Sequence, residues 1–156
     1  MSKSHISHFS VEFGDCDPAQ IVFYPNYFRW MDAATLRFFR ACGVPSWKEM
    51  EASTGIIGTP LVDASARFMR PASYGDAIDV ETTIVVLLGK SFVMKHVIRR
   101  DGEALVEGRE VRVFARRHPT DRKRIQAVPM PDEVRTLCEL PPALGEKEAT
   151  APEPAK

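Results

Sequence analysis

An acidic turn, Asp15-Cys16-Asp17-Pro18, stands shortly ahead of Pro25, where the sequence begins to read as a long helix. Proline suits a first helical turn because the N–H it lacks has no partner there. A helix N-terminus presents unpaired backbone N–H groups and about half a positive charge. A carboxylate facing such donors across a small gap can attack a carbonyl carbon, directly or through water, while the donors hold the carbonyl oxygen. Asp17 is the candidate for that role, because Pro18 confines its backbone to extended conformations and so fixes the direction of its side chain. The plainer alternative is an aspartate that only closes an Asx-turn or caps the helix. Asp15 reads as a turn-former. Cys16, flanked by carboxylates that disfavour a thiolate, reads as packing. Tyr24 enters through its backbone, since its amide lies at the helix start and Pro25 after it can donate nothing.

The helix that would position this pair runs from Pro25 through Arg40, with Gly43 and Pro45 as stop signals. One apolar stripe holds Tyr27, Met31, Ala34 and Phe38; a second holds Phe28, Asp32, Thr35 and Phe39. A helix apolar over so much of its circumference is wrapped by the rest of the chain. Asp32 is out of place on such a stripe; it pairs with Arg29, faces solvent, or accepts a hydrogen bond from a ligand. A short helix is expected over residues 46–53. Strands are expected over 8–14, 60–70, 76–88, 91–100, 103–116 and 124–128, with a helical turn over 131–139. Asp101-Gly102 is a two-residue hairpin signal. Between 103 and 116 the apolar phase passes from Ala104 and Val106 to Val111 and Val113, which places a bulge or bend at Gly108 and turns the odd positions inward. The order is strand, long helix, then strands joined by hairpins, an α+β arrangement with an antiparallel sheet packed on one helix. One domain over 1–140 is expected, with a flexible Pro/Ala/Glu-rich tail over 141–156.

The stretch Gly14-Asp15-Cys16-Asp17-Pro18-Ala19, with Val22-Phe23-Tyr24-Pro25-Asn26-Tyr27, resembles the signature of the hotdog-fold acyl-CoA thioesterases, most nearly their hydroxybenzoyl-CoA branch. The resemblance runs from Phe9 to about Leu140. It implies a hotdog fold, a curved antiparallel sheet around one long helix, and hydrolysis of an acyl-CoA to a carboxylic acid and CoA. It implies that Asp17 is nucleophile or general base, and that the Tyr24 amide polarises the thioester carbonyl. Asp32 would accept a hydrogen bond from a ring hydroxyl, and Trp47 would wall an aromatic pocket. The Gly58-Thr59-Pro60-Leu61 segment would line the thioester channel. Lys90, in Lys90-Ser91-Phe92, would contact CoA phosphates, although two arginines expected just before it are Leu88 and Gly89 here. No metal or cofactor is implied. The partners implied are the acyl-CoA and further copies of the chain, a homo-oligomer arranged as a tetramer, a dimer of dimers.

The rest of the sequence narrows the alternatives. With 21 basic and 21 acidic residues the formal net charge is zero, which gives no footing to nucleic acid or an anionic membrane surface. No apolar run approaches the ~20 residues that span a bilayer, and the first residues carry no secretory core. Three cysteines without metal-like spacing fit free thiols in the cytoplasm. The rivals are a thioesterase for short aliphatic acyl groups, a hotdog dehydratase or hydratase, and a non-catalytic acyl-CoA-binding protein. A dehydratase would want a histidine near the helix, and none occurs between His8 and His96.

Overall fold

The structure, a computed structural model, describes residues 3–143; most of the expected tail, residues 144–156, lies outside them. Seven strands form one antiparallel sheet around a long helix. In chain order the elements are β1 (Ser4–Ser10), a 3-10 turn (Phe13–Asp15), α1 (Pro25–Ala41), α2 (Trp47–Thr54), β2 (Ile56–Gly58), β3 (Leu61–Phe68), β4 (Ala77–Leu87), β5 (Ser91–Arg100), β6 (Glu103–Arg117), β7 (Ile125–Val128) and α3 (Asp132–Leu137). The strands lie in the order β1-β4-β5-β6, and β3, β2 and β7 each pair with β6 as well.

Helix α1 buries Tyr27, Trp30, Met31, Ala34, Thr35, Phe38 and Phe39 against the sheet. The first expected stripe is thus wholly inward. The second is split: Thr35 and Phe39 are buried, whereas Asp32 faces outward. At the C-terminal end of α1, the Phe39 ring meets Trp47, Phe92 and Phe114 edge-on, which knits α1, α2, β5 and β6 into one core. Asp101 and Gly102 both take positive φ, 51° and 79°, as a two-residue turn between right-twisted strands requires.

Two expectations are corrected. The first strand spans Ser4–Ser10 rather than residues 8–14. After Ser10 the chain folds into the 3-10 turn, in which the Glu12 amide donates to the Asp15 carboxylate at 2.8 Å; Val11 is 1% exposed and Phe13 is 79% exposed, so alternation ends there. The second correction concerns β6. Its irregularity lies where Ile98 pairs with Val106 and Arg99 with Ala104, so the extra residue is Leu105, not Gly108. Beyond it the even positions stay inward: Val106, Gly108, Glu110, Arg112 and Phe114 are buried, while Val111 and Val113 are only half-buried. At Gly108 a side chain of the helix packs directly over the strand. A Cβ at that position would overlap the Met31 sulfur, and Met31 has no exposed surface into which to swing. Gly108→Ala is therefore expected to cost about 1–3 kcal/mol by overpacking. An unchanged thermal midpoint would mean that the helix–sheet seam is looser than it looks.

Candidate active site

The acidic turn folds back on itself. Cys16 and Val22 form an isolated antiparallel bridge, the Asp17 amide donates to Ile21 O at 2.9 Å, and the Gln20 amide donates to Asp17 O at 2.8 Å. Gln20 takes the positive φ, 67°, that closes this loop. Asp15 anchors it. Buried beneath the turn, it accepts from Arg29 Nη2 at 2.7 Å, and its carbonyl accepts from Asn26 Nδ2 at 2.8 Å. Arg29 thus serves Asp15, and the expected option of an Arg29–Asp32 pair is not realised.

Asp17 is half-buried at the tip of this loop. Its Oδ1 accepts from the Ala19 amide at 2.8 Å, an Asx-turn. Both readings of Asp17 therefore coexist: one oxygen orients the carboxylate, and the other has no partner among the described residues. Asp17 and Tyr24 line one cleft of about 420 Å³, whose apolar walls include Ile21, Tyr27 and Phe68. Tyr24 is the N-cap of α1, and no acceptor among the described residues meets its amide. Asp17 and Tyr24, each with a polar atom that has no partner among the described residues, thus line the same partly apolar cleft.

A second cleft, of about 360 Å³, gathers four of the other expected residues, Asp32, Trp47, Thr59 and Pro60. Trp47 stands there against Phe39 and Phe114. Leu61 lies outside this lining, half-exposed at the start of β3. Lys90 is exposed in the turn between β4 and β5 and lines neither cleft.

Beneath the second cleft is a polar chain that the sequence reading missed. Arg112 Nη2 donates to Asp32 Oδ1 at 2.6 Å and to Glu110 Oε2 at 2.5 Å, and Nη1 donates to Thr59 O at 2.8 Å. Glu110 Oε1 accepts from Thr35 Oγ1 at 2.6 Å and meets His96 Nε2 at 2.6 Å. His96 Nδ1 in turn meets Thr82 Oγ1 at 2.8 Å. Burial pushes the Glu110 carboxyl up, but the hydrogen bonds and charges of His96 and Arg112 outweigh burial and hold it at about 2. Burial likewise opposes the charge on Arg112, and Glu110 and Asp32 overcome it and raise its pKa. The available signal was two charged residues, Glu110 and Arg112, in the same alternate row as Val106 and Phe114.

The thioesterase-like superfamily model matches residues 11–137. The chain belongs to that superfamily. Among known proteins, the 4-hydroxybenzoyl-CoA thioesterase of Pseudomonas sp. (strain CBS-3) is 41% identical over 143 residues, covering 88% of this chain and 99% of the relative. The solved structure of a 4-hydroxybenzoyl-CoA thioesterase mutant, D17N, complexed with 4-hydroxybenzoyl-CoA superposes with a TM-score of 0.82 at 39% identity, covering 86% of this chain and 98% of that one. A gentisyl-coenzyme A thioesterase structure superposes with a TM-score of 0.72 at 34% identity, covering 85% and 98%. The fold is accordingly the hotdog fold of this superfamily, and the chain is a thioester hydrolase. Among the described residues, no cluster of three or more His, Cys, Asp or Glu side chains could hold a metal ion, and no helix is long and apolar enough to cross a membrane.

Proposed function

We propose that this chain hydrolyses the thioester of 4-hydroxybenzoyl-CoA, or of a close aromatic relative, to the free acid and CoA. The observation that carries the reading is the cleft lined by Asp17 and by Tyr24, whose amide has no acceptor among the described residues, in a chain 41% identical to an enzyme of that name. The Tyr24 N–H takes the carbonyl oxygen, and charge developing there is stabilised by the helix start. Asp17 attacks the carbonyl carbon itself or takes the proton from an attacking water. The C–S bond breaks, CoA leaves as its thiol, and one water is consumed overall. Asp32 and Trp47 recognise the ring, Thr59, Pro60 and Leu61 border the channel, and Lys90 meets CoA phosphates. With Leu88 and Gly89 beside it, Lys90 does so without neighbouring arginines. Three free cysteines suit a reducing cytoplasm.

This assignment requires more than one copy of the chain. Tyr24 and Asp32 are separated along α1 by about 12 Å of helical rise, more than a benzoyl group spans between its carbonyl and its para hydroxyl. A ring attacked at Asp17 therefore meets the Asp32 of another subunit. Among the described residues, strand β3 pairs with β6 on one side only, and Leu61, Val62 and Phe68 on it are exposed, as suits an edge that a second copy covers. We read the assembly as a homotetramer, a dimer of dimers. Light scattering is expected to give a mass of at least two chains; a fully active monomer would defeat the shared site.

The test of the substrate is release of free thiol from benzoyl-, 4-hydroxybenzoyl- and short aliphatic acyl-CoAs. The hydroxylated aromatic substrate is expected to have the highest kcat/KM. Preference for the aliphatic thioesters would replace the aromatic assignment with its nearest rival, and no release from any would leave an acyl-CoA-binding protein.

A further inference from the structure

Arg112 joins two walls of the second cleft to one anchor. It is almost fully enclosed, with 6% of its side chain exposed against 70% for Asp32. One amino group reaches the Thr59 carbonyl, on the connection between β2 and β3, and the other reaches Asp32 on α1. Its third partner, Glu110, is held in turn by Thr35 and His96. The set draws on α1, β5, β6 and the β2–β3 connection, and the guanidinium fork is rigid and planar. Rotation of Arg112 would break all three contacts at once, so its orientation is fixed from inside the core. Asp32, by contrast, is on an exposed stretch of helix where an unpaired aspartate would sample several rotamers. Its pairing with Arg112 occupies Oδ1 and leaves Oδ2 as the open acceptor.

We infer that Arg112 is a positioning residue for acyl recognition: anchored by Glu110, it fixes the Asp32 carboxylate and Thr59 at the cleft so that the open Asp32 oxygen accepts a hydrogen bond from a hydroxyl on the acyl ring. The inference rests on the aromatic-acyl reading above. Charge points the same way. Covering a lone carboxylate with an aromatic ring strands a charge away from water, and a guanidinium already bonded to Asp32 lowers that penalty. Lysine would supply charge but could not reach Thr59, Asp32 and Glu110 together.

The test compares kcat and KM on benzoyl-CoA and 4-hydroxybenzoyl-CoA for wild type, Arg112→Lys, Asp32→Asn and the double variant. The expected result is a loss of about fivefold or more in the preference for the hydroxylated substrate in Arg112→Lys, carried by KM. In the Asp32→Asn background, Arg112→Lys should remove no further preference, because it acts through Asp32. Should Arg112→Lys fail to fold, Glu110→Gln with Arg112→Met removes both buried charges and leaves Asp32 unheld; the same loss of preference is expected. A preference that falls in Asp32→Asn but is kept in the Arg112 variants overturns the inference and leaves the aromatic reading intact. A preference unmoved by Asp32→Asn overturns the inference together with ring recognition by Asp32. A wild type that hydrolyses neither substrate instead rejects the aromatic-acyl reading itself.

Discussion

Asp17→Asn should abolish nearly all turnover while leaving substrate binding in place. The asparagine is nearly isosteric and its amide oxygen can still accept from the Ala19 amide, the bond that orients the native side chain. What disappears is the charge and basicity of the carboxylate, at a residue that lines the cleft shared with Tyr24. A nucleophile or general base contributes roughly 100-fold or more, so turnover should fall at least that far with KM little affected. Retention of more than about a tenth of wild-type kcat would move the chemistry elsewhere. Asp15 would be a poor heir, because Arg29 and the Glu12 amide already occupy its oxygens. Trapping of an acylated protein in rapid-quench experiments on the wild type would decide between attack by Asp17 itself and attack by water.

What could be read in the sequence depended on how strongly each local pattern contrasts with its surroundings. Helix α1 was plain because Pro25, two apolar stripes and Gly43 agree, and the β5–β6 turn was plain because Asp-Gly tolerates two positive φ values. Asp17 of the acidic turn and Tyr24 line one cleft because both are close to the helix start. Strand β1 was misplaced because its sequence, Ser4–Ser10, has little hydrophobic contrast; even Ser7 is 2% exposed, and its position is fixed by pairing with β4. Strand β2 has three residues, too few for any period to show. In β6 both rows carry apolar residues, and valines at 111 and 113 make the odd row look like the core. The true inward row holds Gly108, Glu110 and Arg112, which only a helix pressed against the glycine and a full set of polar partners could favour. The same tertiary fact hid the constraint on Asp32, whose partner Arg112 is 80 residues away in sequence.

That buried chain leads to the second large effect, on stability. Arg112→Met would leave the Glu110 carboxylate, 2% exposed, without the guanidinium beside it, and would also strip Thr59 O of its donor. Removing one member of a buried ion pair typically costs about 3–5 kcal/mol. Adding Glu110→Gln to Arg112→Met removes the stranded charge, while the Gln oxygen can still accept from Thr35 and His96. The double variant should therefore be more stable than Arg112→Met alone, although the three native contacts of the guanidinium are missing from both. Acid should discriminate in the same way. The folded Glu110 carboxyl is held at about 2, below its ordinary value of 4.5. A carboxyl depressed on folding stabilises the native state above its unfolded pKa and loses that contribution as pH falls through the folded value. Wild-type stability should decline between about pH 5 and about pH 2 more steeply than that of Glu110→Gln with Arg112→Met, in thermal or urea unfolding at each pH. Parallel pH profiles for the two proteins would mean that Glu110 contributes nothing through its charge. A double variant no more stable than Arg112→Met would mean that hydrogen-bond loss, not the stranded carboxylate, sets the cost.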